Sequence, residues 1–243
     1  MSPHSPRHIV IIGASGGIGS ALVDHFAARN PASLTAVARG VLPPKAGVDS
    51  YRADITDEDQ LAGFADDLRR RGIAPDLVVV ATGVLSDEAG LKPEKSYRQQ
   101  DPVAFRKVFE INTFAPAIIA KHLLPIMPRK GRAVFAALSA RVGSISDNGL
   151  GGWHAYRASK AALNMLIRNY AIETARSNEE MICVGLHPGT VKTPLSEPFS
   201  KNVPDDALFE PQQAAAYLAQ VIDRLSAKDS GRVFDWAGKE IPA

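Results

Sequence analysis

The chain has 243 residues, of which 45% are hydrophobic and 22% charged, and its 28 Lys and Arg stand against 26 Asp and Glu. These proportions belong to an ordinary folded protein and exclude disordered, collagen-like and coiled-coil architectures, while the balanced, interspersed charge argues against a nucleic-acid partner. Cys183 is the only cysteine, which excludes an intramolecular disulfide or a Cys-based zinc site and suits a reducing cytoplasm. No apolar run reaches the ~20 residues of a membrane span. The polar stretch from Met1 to Arg7 lacks the apolar segment of a signal peptide, so the expectation is a cytoplasmic protein without a membrane partner.

Taken in chain order, short β-branched or apolar runs predict strands at residues 8–12, 34–38, 50–53, 77–81, 132–138, 182–186 and 232–234. Segments of helical period predict helices at 17–29, 57–71, 102–124, 156–176 and 211–225, with Thr56 and Asp101 among the helix starters. The one dense basic run, Arg69-Arg70-Arg71, falls just before Gly72, where cations complement the dipole at a helix end. Repeated βα units predict an α/β fold with a doubly wound, seven-stranded parallel sheet and helices on both faces. Nothing within residues 1–243 reads as a linker, so a single domain is expected. Three irregular stretches, 84–100, 140–154 and 190–210, each follow the C-terminal end of a strand, the edge at which open α/β sheets bind ligands.

The first strand runs into Gly13-Ala14-Ser15-Gly16-Gly17-Ile18-Gly19 and then a helix. Glycines there permit a tight turn and close backbone approach, and the helix N-terminus offers free N–H groups to a phosphate, so the loop predicts a dinucleotide site. An acid near the end of the second strand would hold a ribose 2′-hydroxyl. The chain has Ala38 and Arg39 there instead, and a guanidinium suits a 2′-phosphate, so NADP(H) is preferred with NAD(H) second.

Tyr156 and Lys160 stand at i and i+4 near the start of a helix, so their side chains share one face. An ammonium beside a phenol favours the phenolate and makes tyrosine a usable acid or base. With the glycine loop, Asn112 in Ile-Asn-Thr, Ser139 after the fifth strand and Pro188-Gly189 after the sixth, the chain resembles the short-chain dehydrogenase/reductase family over essentially its whole length. The stretch from Ser139 to Asn148 and the Tyr-Arg-Ala-Ser-Lys motif look like the subgroup of C-factor signalling proteins.

The resemblance implies a Rossmann fold and an NADP-dependent oxidoreductase that interconverts a ketone or aldehyde and its alcohol. Tyr156 is implied as general acid/base, Ser139 as the donor to the substrate oxygen, and Lys160 as the group that lowers the Tyr156 pKa and binds the nicotinamide ribose. Asn112 is implied to expose its backbone carbonyl to a water that relays protons to Lys160. Cofactor contacts are implied for Gly13, Ser15, Gly17, Ile18, Gly19, Arg39, Asp54, Ile55, Ala81, Thr82, Gly83, Pro188, Gly189, Val191 and Thr193, with no metal. Ser139 precedes Tyr156 by more than the usual family spacing; Ser144 and Ser146 are rivals, and Ser139 is preferred because it directly follows an apolar strand. The family's usual Asn-Asn-Ala-Gly is replaced by Val80-Ala81-Thr82-Gly83, so whatever braces the sheet there must come from elsewhere. Leu85, Trp153, His154, Leu195 and Phe199 are candidates to line a substrate pocket. A homodimer or homotetramer is expected through the apolar spans 114–124 and 161–172, and a dinucleotide-binding signalling or sensor protein is the alternative.

Overall fold

The computed structural model describes residues 7–199, 204 and 207–243; the polar residues 1–6 and part of the 190–210 stretch lie outside the described residues. In chain order the elements are β1 (His8–Ile12), α1 (Gly17–Ala27), β2 (Ser33–Ala38), β3 (Asp49–Arg52), α2 (Glu58–Arg70), β4 (Leu77–Val80), α3 (Pro102–Phe109) and α4 (Ala115–Leu123). They continue as β5 (Ala133–Leu138), α5 (His154–Thr174), β6 (Met181–His187), β7 (Thr190–Val191), β8 (Leu208–Phe209), α6 (Pro211–Arg224), β9 (Val233–Asp235) and β10 (Glu240–Ile241). The main sheet runs β10-β9-β6-β5-β4-β1-β2-β3. Its seven expected strands are all parallel, and β10 adds a short antiparallel edge against β9.

Central strands in a sheet covered on both faces read as unbroken apolar runs, because each face needs its own side chains. β1 does this by alternation: Ile9 and Ile11 join a core with Leu22 and Phe26 of α1 and Leu218 and Ile222 of α6. Val10 and Ile12 join the opposite core with Phe64 and Leu68 of α2, Ile119 of α4 and Leu163 and Ile167 of α5. β4 and β5 divide in the same way, with Val79 and Ala136 on one face and Val78 and Phe135 on the other. Each fully buried large side chain contributes about 1.5–3 kcal/mol, so the two cores together hold the sheet between its helix layers.

The long helix expected over 102–124 is divided. Asp101 caps α3 by accepting from Ala104 N at 2.9 Å, with Pro102 in the first turn. A single π-turn, Glu110–Phe114, then intervenes, closed by the Ala115 amide donating to the Glu110 carbonyl. Pro116 explains the break, since it lacks the amide that an uninterrupted α-helix would aim at the carbonyl of Asn112. The start of α2 also differs by one residue: Asp57, not Thr56, accepts from Gln60 N at 3.1 Å, while Thr56 is tied to Asp54. The third irregular stretch holds the small parallel pair β7–β8.

From β1 the chain moves outward to β2 and β3, then returns to place β4 on the other side of β1. The crevice opens where these paths diverge. Gly13 ends β1 there with φ +87°, and a Cβ on it would lie 2.8 Å from the Ala81 carbonyl oxygen beyond β4. A Cβ on Gly19 would run into the Gly13 carbonyl oxygen, so the loop and the first turn of α1 pack backbone to backbone. Gly19→Ala is therefore expected to destabilise the protein by about 1–3 kcal/mol, read as a lowered melting temperature. Gly40→Ala, where nothing lies within 4 Å of the added carbon, should leave the melting temperature unchanged.

Candidate active site

A cavity of about 910 Å³ opens at the C-terminal edge of the sheet. Of the residues implied by the sequence, Gly17, Ile18, Ala81, Thr82, Gly83, Ser139, Tyr156, Lys160, Pro188, Gly189, Val191 and Thr193 line it. Trp153, Leu195 and Phe199 line it as well, whereas Leu85 is buried beneath the loop after β4 and His154 is not among the lining residues. Ser144 and Ser146 do not line it either. Ser144 accepts from Asp147 N at 3.1 Å and Ser146 N donates to the Ala243 carbonyl at 3.1 Å, so of the three rival serines Ser139 is the one on the cavity wall.

Lys160 is 2% exposed and its Nζ donates to the Leu138 carbonyl at 2.7 Å, which ties α5 to the end of β5. The same Nζ lies 5.8 Å from the centre of the Tyr156 ring. Burial controls both groups: it pushes Tyr156 up to about 12 and Lys160 down to about 8. The lowering of the Tyr156 pKa expected from its neighbour is thus reversed in the bare protein, because the desolvated phenol is penalised as an anion and the desolvated lysine as a cation. Ser139 Oγ donates to Asn164 Oδ1 at 2.6 Å, and its own amide donates to the Leu186 carbonyl at 2.8 Å.

Asn112 sits in the π-turn, fully buried. Its Oδ1 accepts from Val84 N at 2.8 Å, and its Nδ2 donates to Val84 O at 2.9 Å and Ser159 Oγ at 3.1 Å. It supplies the brace after β4 that Ala81 and Thr82 cannot. A Cβ on Gly83 would stand 3.5 Å from both Asn112 Oδ1 and Lys160 Nζ, so the turn, the brace and the lysine meet at one point.

A dinucleotide needs an anion cradle and polar partners. Gly16, Gly17 and Ile18 present the start of α1 to the cavity with no side-chain cap and no acid in the first turn, leaving its N–H groups for an anion. A Cβ on Gly17 would stand 2.8 Å from Thr193 Cγ2, so only glycine leaves room there. Thr82 Oγ1 and His187 Nδ1 are buried with no hydrogen-bond partner among the described residues. Burial is also the main reason His187, which lines the cavity, is pushed down to about 4, with the Arg141 charge adding to it and Asp235 opposing. These features fit a phosphate-bearing dinucleotide.

Gly13, Ser15, Gly19, Arg39, Asp54, Ile55 and Asn112 are not on the cavity wall. Gly13 N and Ala14 N donate to Val37 O at 2.9 and 3.0 Å, which sets the glycine loop beside the end of β2, where Arg39 is exposed. Asp54 is held below the usual carboxylate range chiefly by hydrogen bonds from Thr56, with the Arg39 charge a minor cause. Ile55 packs against the core beside α2.

Two residues of the site escaped the sequence reading. Asn164 carried a usable signal, since it lies one turn beyond Lys160 on the same helix face. Glu94 carried only an indirect one: no Ser, Thr, Asp or Asn stands immediately before α5, so its first amides needed a remote cap. Glu94 provides it, accepting from Ala155 N at 3.3 Å with each carboxylate oxygen.

The sequence profile of the short chain dehydrogenase family matches residues 7–204. Among curated proteins, the chain is 30% identical to 1-hydroxy-2-glutathionyl-2-methyl-3-butene dehydrogenase of Rhodococcus sp. (strain AD45), covering 92% of this chain and 94% of that protein. It is 35% identical to C-signal of Myxococcus xanthus over 56% of this chain and 76% of that protein. Among solved structures, the NADPH-bound carbonyl reductase from chicken fatty liver superposes with a TM-score of 0.83 at 25% identity, covering 98% of this chain and 99% of that one.

The lysine gives a pH signature. Between pH about 8 and 10.5 the unfolded chain holds a proton that folded Lys160 has released, so this group adds stability as pH rises through that window and costs most below it. Tyr156 acts oppositely between 10 and about 12, where the unfolded chain loses its proton first. In cofactor-free protein, Lys160→Met is expected to gain most over the wild type at pH 7. The gain should shrink by about 2 kcal/mol at pH 9.5, measured by urea unfolding at both values.

Proposed function

The chain belongs to the short-chain dehydrogenase/reductase family, and we propose that, as one domain over residues 1–243, it is an NADP(H)-dependent oxidoreductase interconverting a ketone or aldehyde and its alcohol. The observation that carries this reading is the convergence of Ser139, Tyr156 and Lys160 on a cavity that also receives the bare N-terminus of α1. The curated dehydrogenase and the NADPH-bound carbonyl reductase support it.

When bound, the nicotinamide supplies or accepts the hydride; the chain's residues do the rest. Gly13, Ser15, Gly17, Ile18 and Gly19 would receive the phosphates at α1, and Arg39 the 2′-phosphate. Asp54 and Ile55 would flank the adenine, and Ala81, Thr82, Gly83, Pro188, Gly189, Val191 and Thr193 the remainder. In reduction, Tyr156 gives its phenolic proton to the carbonyl oxygen, a role suited to a phenol kept neutral by burial. Ser139 hydrogen-bonds that oxygen as charge develops, once its proton turns away from Asn164. Ribose hydroxyls at Lys160 Nζ would favour the ammonium, and its field would then favour the phenolate. Pro116 removes the α-helical donor to the Asn112 carbonyl, which would hold a water that returns protons to Lys160.

The similarity to C-signal favours a second reading, a nucleotide-binding signalling protein. It predicts NADPH binding without turnover, and the complete Ser139, Tyr156 and Lys160 set argues for the enzyme. We also propose a homo-oligomer built on the exposed apolar face of Phe114, Met165 and Ile172.

With purified protein and a panel of carbonyl compounds, NADPH oxidation is expected to exceed NADH oxidation. Tyr156→Phe should lower kcat by about 10²–10⁴-fold with the NADPH dissociation constant unchanged. Loss of NADPH binding in Tyr156→Phe, or turnover that survives it, would refute the role given to this residue. Arg39→Ala should weaken NADPH about tenfold or more and leave NADH unaffected. By light scattering, the wild type should run at a multiple of 26.0 kDa, and Phe114→Asp with Met165→Asp at the monomer mass.

A further inference from the structure

We propose that Trp153 selects carbonyl substrates bearing a flat aromatic group, with Glu94 as the positioning residue that holds it in place; the inference deepens the proposed oxidoreductase reading and rests on it. The chain enters α5 through three consecutive left-handed residues, Gly151 (φ +64°), Gly152 (φ +68°) and Trp153 (φ +50°). Two glycines adopt this conformation freely, but a tryptophan there is strained, and such strain persists only where the surroundings over-determine it. The surroundings do so through one residue. Trp153 N donates to the Glu94 carbonyl at 2.5 Å, and the Glu94 carboxylate, on a residue only 5% exposed, takes up the Ala155 amide. Because α5 has no side-chain cap of its own, a negative group at this end also complements its dipole. Glu94 belongs to the loop after β4, so it joins the substrate-side loop to the helix that carries Tyr156.

The consequence is an indole fixed on the cavity wall. Its ring meets Tyr156 edge to face at 6.3 Å and Phe199 at 5.1 Å. The carbonyl oxygen must reach the Tyr156 hydroxyl, so a substituent on the carbonyl carbon falls beside the Trp153 and Phe199 rings, in a cavity that Leu91 and Leu195 also line. A rigid aromatic wall favours a π-face over a saturated ring of equal size, and a preformed wall loses little entropy on binding.

The test compares acetophenone with cyclohexyl methyl ketone, alike in size and differing in the π system. Their ratio of kcat/KM should fall about five- to tenfold in Trp153→Leu, chiefly through KM, with the NADPH dissociation constant unmoved, and Trp153→Phe should retain most of it. Glu94→Ala should lower the same ratio, and Glu94→Gln, which keeps an acceptor oxygen, should restore it. A second readout needs no turnover. In Trp236→Phe, Trp153 is the only tryptophan, and with NADP⁺ bound its emission should respond saturably to acetophenone and not to the cyclohexyl ketone. An unchanged ratio in Trp153→Leu, or an emission blind to acetophenone, overturns the inference. If NADP⁺ binds and acetophenone changes the emission but no member of the carbonyl panel is reduced, the aromatic site stands and the oxidoreductase reading fails.

Discussion

A buried ammonium donating to the last carbonyl of β5 is the contact around which the active edge is arranged. Through the bond from Lys160 to Leu138, α5 is placed against the sheet at a fixed height, and Tyr156 one turn earlier is placed with it. The packing leaves no slack: a Cβ on Gly143 would lie 2.7 Å from Lys160 Cβ, so that position in the turn after β5 calls for glycine. Ser139 is drawn into the same arrangement from β5, bound through its hydroxyl to Asn164 of α5. Strand and helix are thus joined by two polar contacts, one turn apart along α5, that involve two of the residues proposed to react.

The opposite wall of the crevice is made by an absence. α1 begins without a side-chain cap or acid, although α2 and α3 have Asp57 and Asp101 for that purpose. A helix end left bare beside a cavity retains unpaired N–H groups and a positive dipole end, and glycine at Gly17 keeps the approach open. Local stability is given up at one helix start so that an anionic ligand can complete it.

The fold was legible in the sequence because its central strands are apolar throughout, with no alternation toward solvent, and the helices between them have a clear period. Six of the seven expected strands could be read from that contrast, while β3, the exposed edge Asp-Ser-Tyr-Arg, is polar and has no apolar run. β10 could not, since a two-residue edge strand has no pattern. The division between α3 and α4 was marked by Pro116, which periodicity alone overrides. At the site, Tyr156, Lys160 and Ser139 were readable through the resemblance to the short-chain dehydrogenase/reductase family, which their spacing and strand-end position carried only in combination with the other motifs. The direction of their pKa shifts was not, because it depends on how deeply both groups are buried. Glu94 was hidden because its partner amide lies 61 positions away, and no local rule links a loop acid to a distant helix start.

What separates this edge from the rest of the molecule is where ordinary rules of folding are broken. Among the described residues, a lysine is buried without a carboxylate partner, a tryptophan adopts a left-handed backbone, a helix starts uncapped, and Thr82 and His187 keep buried polar atoms unsatisfied. Each of these five departures costs stability and all five sit on one cavity, whereas the buried, unsatisfied Thr35 Oγ1 of β2 and Arg157 Nε are the exceptions away from it among the described residues. Departures scattered at random would read as defects. Gathered on one concave surface and supported by a rigid sheet, they read as groups held ready for a ligand that supplies the missing partners. On that logic the cores provide the surplus stability, and the crevice between β1 and β4 is where it is spent on chemistry.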